Sequence, residues 1–582
     1  MERKKFNIIA NFDETDSITS EEILVVEGDY KSIEFDFQLS KTDYDSAMFY
    51  MVKPDGTHFS SLITNNKVEI DDSSVFNQSG IYLLGIALYG TDSRLTNSQK
   101  GKLEVVNGNL PPDDEVTAEA NYPILDQLIQ QVTTLLYDNA IYGIRRALNN
   151  NSSSAWERIY ASQTLVANAT HDGSSVVNDF DNIYPWRDIK SYNYDTTNHE
   201  IKAWYGDANF KFDGSNGEVL TRIPAFYWKR YRDDTYEYIL ITASARNDFN
   251  YSPAFSVGRY LTSYADSKAH SYSGLDPEVN RSIVSFRTVS KALGSDFGQL
   301  DYRYFILQLL YLVEYADYNS QTKLGGGISG MRVSNDDKAL VAETGTNRII
   351  IATNGSGAGN FIVGQTISIG TSGTGNFAVA RARKITAIED YSSGGVTGKA
   401  ITFDGTAVDV AVNNVVWSSG QIAGGCDTLG MKSGCLANDN KHAIIYRGIE
   451  NIFGNVFQWV DGINIKDYQA YVCYDPSEYV SDKFTDPYKK LGYIDGDADG
   501  YIKSLGYDGE HPLISLPTSA GGTGAGSNAY MTDYYYRNTG NRVARVGGAM
   551  YSGTDGGLWY WYLTADSSTT PWNLGARLLR YQ

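Results

Sequence analysis

YRGIENIFGNVFQWVDGINI, residues 446 to 465, is the most specific stretch of the chain. Its core, Gly454-Asn455-Val456-Phe457-Gln458-Trp459-Val460-Asp461, decides how the rest is read. A second stretch, GGLWYWYLTADSSTTPWNLGARLLRYQ (556 to 582), alternates large rings with small polar residues until a Gly-Ala-Arg-Leu-Leu run closes it. Rings at that density either fill a core or face outward to touch another molecule.

Composition narrows the choice. The 582 residues suit about four domains at roughly 150 residues each. A hydrophobic share of 42% with 20% charged residues supports sizeable cores in a globular chain. The net charge of -20 argues against a nucleic-acid partner, because phosphate-backbone binding rests on clustered Lys and Arg. The opening MERKKFNIIANFDETD has only a short, interrupted apolar run and does not read as a signal peptide. No stretch reaches 18 apolar residues, so no membrane insertion is expected. Cys426, Cys435 and Cys473 are too few and too irregularly spaced for a disulfide framework or a four-Cys zinc site. The outlying number is 44 Tyr against 22 Phe. Tyrosine joins an apolar body to a polar tip, and binding surfaces are enriched in it.

Texture divides the chain. Residues 1 to 110 read as all-β: Ile33, Phe35, Phe37 and Leu39 alternate with polar residues, and AMFYMVKPDGTHF places a Pro-Asp-Gly turn after an apolar run. Residues 111 to 151 read as a linker and a helical stalk. The linker signal is NLPPDDEVTAEA (109 to 120), and YPILDQLIQQVTTLLYDNAIYGIRRAL (122 to 148) carries Leu125, Leu128, Val132 and Leu135 at 3-4-3 spacing, continued by Asn139 and Tyr142. That stripe suits either a short coiled coil or an amphipathic helix lying on its own domain. From 152 to 330 the chain is Tyr- and Trp-rich, with a strand in YEYILITAS and a helix in DYRYFILQLLYLVEYADY whose apolar face is Phe305, Leu309, Leu312 and Ala316. Residues 331 to 424 turn Gly-, Thr-, Val- and Ile-rich, which predicts a small inserted β-barrel. The Tyr/Trp texture resumes over 425 to 582.

Few motifs carry chemistry. GGGISG (325 to 330) fits GxGxxG but follows a helix rather than a strand, so it reads as a flexible loop. The six histidines are scattered. In DGDADGYIK, Asp495, Asp497 and Asp499 are spaced like the first ligands of a calcium loop, but Gly506 stands where the closing Glu belongs. A solvated acidic turn is the favoured reading there, calcium the minor one, and no other cofactor is expected.

The Gly454–Asp461 core resembles the GNVWEW-type motif of the formylglycine-generating-enzyme branch of the C-type lectin fold. NRVARVGGAMYSG (541 to 553) resembles that family's RVxRGGSW segment, and NLGARLL (573 to 579) its closing strand. No cysteine follows Cys473, where that family has its catalytic or copper-binding pair, so the resemblance does not carry the enzyme's chemistry. VANATHDGSSVVNDFDNIYPWRDIK, the GNVFQW block and WNLGARLL are more similar to phage tail and receptor-binding proteins of the same fold, including the variable proteins of diversity-generating retroelements. Residues 1 to 110 resemble the N-terminal domain of phage upper baseplate proteins.

The resemblance implies a mainly β, multidomain phage adhesin, located at the tail tip or baseplate of the virion. It would comprise a β-sandwich-like attachment domain, a short helical stalk that trimerises, and a C-type-lectin-like domain with an inserted barrel. Its partners would be other baseplate proteins and a host-surface glycan or protein. The alternatives are a structural baseplate subunit and a glycan-degrading tail enzyme. In such a family Gly547, Gly548, Trp559, Trp561, Trp572, Gly575 and Arg577 form the frame. Between them Ala549, Tyr551, Ser552, Thr554, Asp555, Tyr560, Tyr562, Thr564, Asp566, Ser568 and Thr570 all belong to the set reachable from an Asn codon by changing adenines, and form the implied ligand-binding surface. Tyr534, Tyr535 and Tyr536 are expected to reach it, with the middle ring pointing away if they lie on a strand. Alternation of Trp559 and Trp561 with Tyr560 and Tyr562 predicts Trp rings inward and Tyr rings outward, with Trp572 buried as well and Tyr551 on the outward face.

Overall fold

The computed structural model describes residues 4–11, 17–20, 24–26, 33–39, 44–53, 57–70, 75, 80–89, 94–97, 101–106 and 140–582, the last span less 151, 356–359, 497 and 522–530. The chain is mainly β with several sheets, and it divides into two compact units, Met1–Leu135 and Leu136–Gln582. Among the described residues no helix is long and apolar enough to cross a membrane.

In the first unit the predicted alternation forms the strand Ile33–Leu39, with Phe35 and Phe37 buried. Ser46–Val52 and His58–Leu62, on either side of the Pro-Asp-Gly sequence, form an antiparallel pair with Val52 opposite His58, while Pro54, Asp55 and Gly56 themselves lie outside the described residues. Ile33–Leu39 and Ser46–Val52 lie in different sheets that share one core. Phe35 and Phe37 meet Phe49 across it at centroid distances of 5.2 and 5.3 Å.

The helix expected over 122–148 needs correction at its end. Tyr142–Ala147 is a strand, paired with Glu157–Tyr160 on one side and Tyr236–Thr242 on the other. Tyr142, Ile144 and Arg146 are buried at period two, and a Cβ at Gly143 would lie 2.5 Å from Leu240, so a close sheet contact overrides the helical stripe. The linker over 109–120 and Leu125, Leu128, Val132, Leu135 and Asn139, on which the stalk and trimer rest, lie outside the described residues.

Two cores meet in the second unit at the strand Phe457–Lys466, which is buried along its length except at Lys466. Val460, Ile463 and Ile465 enter one core, while Phe457 and Trp459 enter the other. Its neighbours run Gln469–Val472, Phe457–Lys466, Asn541–Val546, Trp561–Leu563, Tyr534–Arg537, Gly500–Leu505. The first core encloses the helix Tyr304–Tyr315, and all twelve of its residues are buried rather than the single face expected. An enclosed helix must partner its polar groups internally. Glu314 accordingly accepts from Arg447 Nε at 2.8 Å, from the Tyr446 hydroxyl and from Asn178.

The GNVFQW block is explained by its contacts. Gly454 has φ 77°, and a Cβ there would lie 2.9 Å from the Ile328 carbonyl oxygen. Asn455 binds the Gln421 backbone twice: its Oδ1 accepts from Gln421 N at 2.7 Å and its Nδ2 donates to Gln421 O at 3.0 Å. Arg577 is buried and donates to Gln458 Oε1 at 2.8 Å and to the carbonyls of Gly258, Arg259, Glu450 and Asn451. After it, Leu578–Tyr581 lies between Phe255–Gly258 and Phe297–Gln299 in one sheet. GGGISG is also buried, and a Cβ at Gly326 would collide with Asn440, so it is packed structure rather than the flexible loop expected.

Within 331–424 five strands run in the order Arg348–Ile351, Val396–Phe403, Ala380–Ser393, Thr366–Gly370, Val415–Ser418. They enclose a separate core that includes Ile349, Ile367, Ile401 and Phe403. The segment 337–340 bonds to both ends of this path, with Leu340 N donating to Ile350 O and Val416 N to Asp337 O.

Candidate functional site

The closing rings acquire direction from strand pairing. Trp561–Leu563 runs parallel to Tyr534–Arg537 and antiparallel to Asn541–Val546. On one face, Trp561 and Tyr535 are paired and buried, and Trp561 stacks on Phe305 at 5.1 Å. On the other face Tyr562 lies opposite both Tyr536 and Arg545, and Tyr534 lies opposite Tyr501. The result is a continuous shelf of rings: Tyr501–Tyr534 at 5.2 Å, Tyr534–Tyr536 at 4.6 Å, Tyr536–Tyr562 at 4.6 Å and Tyr562–Phe457 at 5.5 Å. Arg545 lies beneath it, 3.7 Å from the Tyr562 centroid and 4.7 Å from that of Phe457. It is 8% exposed, and among the described residues its Nε has no hydrogen-bond partner and no carboxylate forms an ion pair with it. Burial lowers its affinity for the proton.

The loop 549–556 extends the shelf. Tyr551 is 44% exposed, lies 5.9 Å from Trp572 and accepts a hydrogen bond from Asn573 Nδ2. Asp555 accepts from the Tyr501 hydroxyl at 2.8 Å. That bond, with burial, pushes the Tyr501 phenol up to about 12, and burial raises the Asp555 carboxyl as well. The segment 331–424 borders this end: a Cβ at Gly375 would lie 2.6 Å from Trp572 Cδ1.

Trp559 and Trp561 are buried, as the alternation predicts. Tyr534, Tyr536 and Tyr562 are half-buried on the shelf, Tyr535 points into the core, and Ser552, Thr554, Asp555 and Thr564 all reach the surface. Three expectations need correction. Tyr560 is only 5% exposed. It belongs to the turn before the strand, where its N–H bonds back to Gly557 O, and its ring packs 5.3 Å from Phe457. Ala549 is fully buried. Trp572 is half-buried rather than buried, because it stands at the edge between Tyr551 and the insert. Asp566, Ser568 and Thr570 are exposed, but on a separate turn. There Asp566 accepts from Ser568, and Ser567 bonds to Asp482. That turn makes no hydrogen bond or ring contact with the shelf.

The sequence reading missed Phe457, Tyr501 and Arg545. The only local trace was alternation: Arg545 lies two residues from Val543, and Tyr501 stands second in the strand Gly500–Leu505 after the acidic turn.

Metal and thiol chemistry find little support. Asp495 is buried with both carboxylate oxygens unpartnered, and burial raises its pKa far above the usual carboxylate range. Asp499 is exposed and accepts from Arg537 N at 2.9 Å, while Asp497 lies outside the described residues. Among the described residues no three His, Cys, Asp or Glu side chains gather to hold a metal ion. Cys426, Cys435 and Cys473 are unpaired and buried. Burial raises all three thiols, Cys435 to about 11, which leaves no thiolate nucleophile near neutral pH.

No protein-family model matches the chain, and no curated protein matches it.

Proposed function

We propose that this chain is a phage tail-tip or baseplate receptor-binding protein, and that the shelf of Tyr501, Tyr534, Tyr536, Tyr551 and Tyr562 docks a host-surface glycan or protein. In this reading the second unit is a C-type-lectin-like domain carrying a small inserted β-barrel. The first unit is a β-sandwich-like attachment domain, and trimerisation raises the avidity of weak individual contacts. One observation carries the reading: strand Trp561–Leu563 turns its tryptophan into the core and its tyrosine onto a ring-covered face. Packing and presentation are thereby separated on a single strand. Tyrosine rings offer large contact area at low conformational cost, and small polar neighbours such as Ser552 and Thr554 adapt their hydrogen bonds to the ligand. The resemblance of GNVFQW and NLGARLL to phage lectin-fold proteins supports the same reading.

The test is competition. Purified chain should block adsorption of the virion to host cells, and Tyr562→Ala and Tyr551→Ala should weaken that block while Asp566→Ala does not. A folded chain that never binds cells would support the structural-subunit reading, and release of soluble host oligosaccharide would support the enzyme.

A further inference from the structure

A second pocket, of about 300 Å³, lies in the same unit and shares no residue with the shelf. One wall comes from the strand Asn250–Ser252, which pairs with Phe226–Arg232 so that Asn250 lies opposite Trp228. On that wall Tyr251 is 56% exposed, its ring leaning on Tyr227 at 5.2 Å. The facing wall is Tyr302 and Tyr474, in edge-to-face contact at 4.8 Å. Tyr474 is 37% exposed and is fixed by His511, whose Nδ1 lies 3.1 Å from the Tyr474 hydroxyl. Trp228 and Ile306, both buried, line its depth.

Two large rings left exposed around a concavity are an unsatisfied surface, and concave, ring-lined pockets with a few polar groups are where small ligands bind. The polar groups decide the ligand class. Asn250 and Glu510 are exposed, and among the described residues their side chains make no hydrogen bond or ion pair. Arg303 also lines the pocket, held by Asp301 at 2.5 Å and lying 4.8 Å from the Tyr302 centroid. The guanidinium disfavours a cation in the aromatic walls, and the Glu510 carboxylate disfavours an anion. A neutral ring rich in hydroxyls satisfies both, since it donates to Glu510 and Asn250 and accepts from Asn250 and Arg303. Its slightly positive C–H edges suit the negative faces of the tyrosine rings. At about 300 Å³ the pocket stands at the small end of ligand pockets, which suits one ring rather than an extended chain.

We infer that this pocket is a second ligand site and that it takes a single neutral pyranose unit of a glycan. The inference rests on the pocket alone and does not depend on the shelf being a receptor site.

The experiment is saturation-transfer difference NMR on the full chain, with the methyl glycosides of glucose, galactose, mannose and N-acetylglucosamine as probes. At least one should bind with a Kd on the order of 1 mM, the range for so small a ligand, with saturation strongest on ring C–H protons. Tyr251→Ala and Tyr474→Ala should each weaken that binding roughly tenfold or more, as loss of a central aromatic contact does. Tyr562→Ala, on the shelf, should leave it unchanged. If either alanine variant loses its melting transition, Glu510→Gln and Asn250→Ser replace it, since neither side chain makes a hydrogen bond or ion pair among the described residues. The inference is overturned if no glycoside binds at about ten times that concentration. It is equally overturned if the pocket variants bind as wild type, if Tyr562→Ala alone abolishes binding, or if choline or phosphate binds in place of every sugar.

Discussion

Replacing Trp561 and Tyr562 separately by alanine tests the division between packing and presentation on one strand. Trp561 is fully buried, stacked on Phe305 at 5.1 Å and edge-on to Tyr304 at 5.9 Å. Removing a ring in that position costs about 4 kcal/mol in lost burial and cavity formation. At about 2.1 cal/mol/K per residue, residues 136–582 unfold with an entropy of roughly 0.9 kcal/mol/K, so Trp561→Ala should lower Tm by about 4 °C. Tyr562 is half-buried and covers Arg545 at 3.7 Å; losing that cation–π contact and some ring packing should cost about 1 kcal/mol, or roughly 1 °C. Binding should reverse the order. Tyr562→Ala should reduce host-cell binding by about 30-fold, the effect of a hot spot near 2 kcal/mol, while folded Trp561→Ala binds within a few-fold of wild type. Differential scanning fluorimetry and a cell-binding titration on the same preparations give both numbers. If Tyr562→Ala melts below Trp561→Ala, the two faces are reversed and the shelf is not a recognition surface.

Four further outcomes follow from buried polar groups. Burial opposes ionisation of Glu237, but Arg230, Arg232 and Arg146 surround it and hold its carboxyl at about 2, against 4.5 unfolded. Its stabilisation is complete above about pH 4.5 and is lost as pH falls towards 2. Glu237→Gln should cost roughly 3 kcal/mol at pH 7 and flatten that part of the Tm profile. Asp533 runs the other way: burial raises it to about 7 from 3.8 although Trp559 N donates to it, so stability falls as pH rises between those values. Asp533→Asn, read by Tm against pH, should remove that slope. Arg577→Met removes five buried hydrogen bonds, to Gln458 Oε1 and to four carbonyls of which Arg259 O keeps Glu450 N and Asn451 O keeps Gln458 Nε2, so soluble yield should fall sharply with a loss of about 4 kcal/mol, and Arg577→Lys should not restore it. Replacing Cys426, Cys435 and Cys473 by alanine should leave cell binding within twofold, measured by the same titration, because no thiol lies on the shelf.

What the chain reveals locally, it reveals by period. The strand at Ile33–Leu39 and the pairing of Ser46–Val52 with His58–Leu62 were legible because their signals sit within a few residues of one another in the sequence. Tyr142–Ala147 was misread because Asn139 and Tyr142 extend a helical stripe, whereas its main partner, Tyr236–Thr242, lies far along the chain. Tyr560 was misplaced for a smaller reason: the strand begins at Trp561, so the alternation stops one residue short. Arg545 and Tyr501 joined the shelf through pairings that no window of sequence contains. The rings at 228, 251, 302 and 474 are scattered over nearly 250 positions, so only folding makes them neighbours.

The position of Leu578–Tyr581 between Phe255–Gly258 and Phe297–Gln299 has a consequence for biosynthesis. About 280 residues separate Gln299 from Leu578. At about 5–20 residues per second, a ribosome needs roughly 15–55 s to cross that gap. Throughout that interval the two flanking strands have been made but lack their shared neighbour, and each offers an open edge to other nascent chains. The sheet therefore cannot close vectorially as it is translated; it waits for a segment made long after its partners. A polypeptide that stops short of Arg577 leaves that gap unfilled and lacks the five hydrogen bonds that Arg577 makes, a substrate for chaperones and proteases. Closure of this sheet thus reports that synthesis has passed Tyr581.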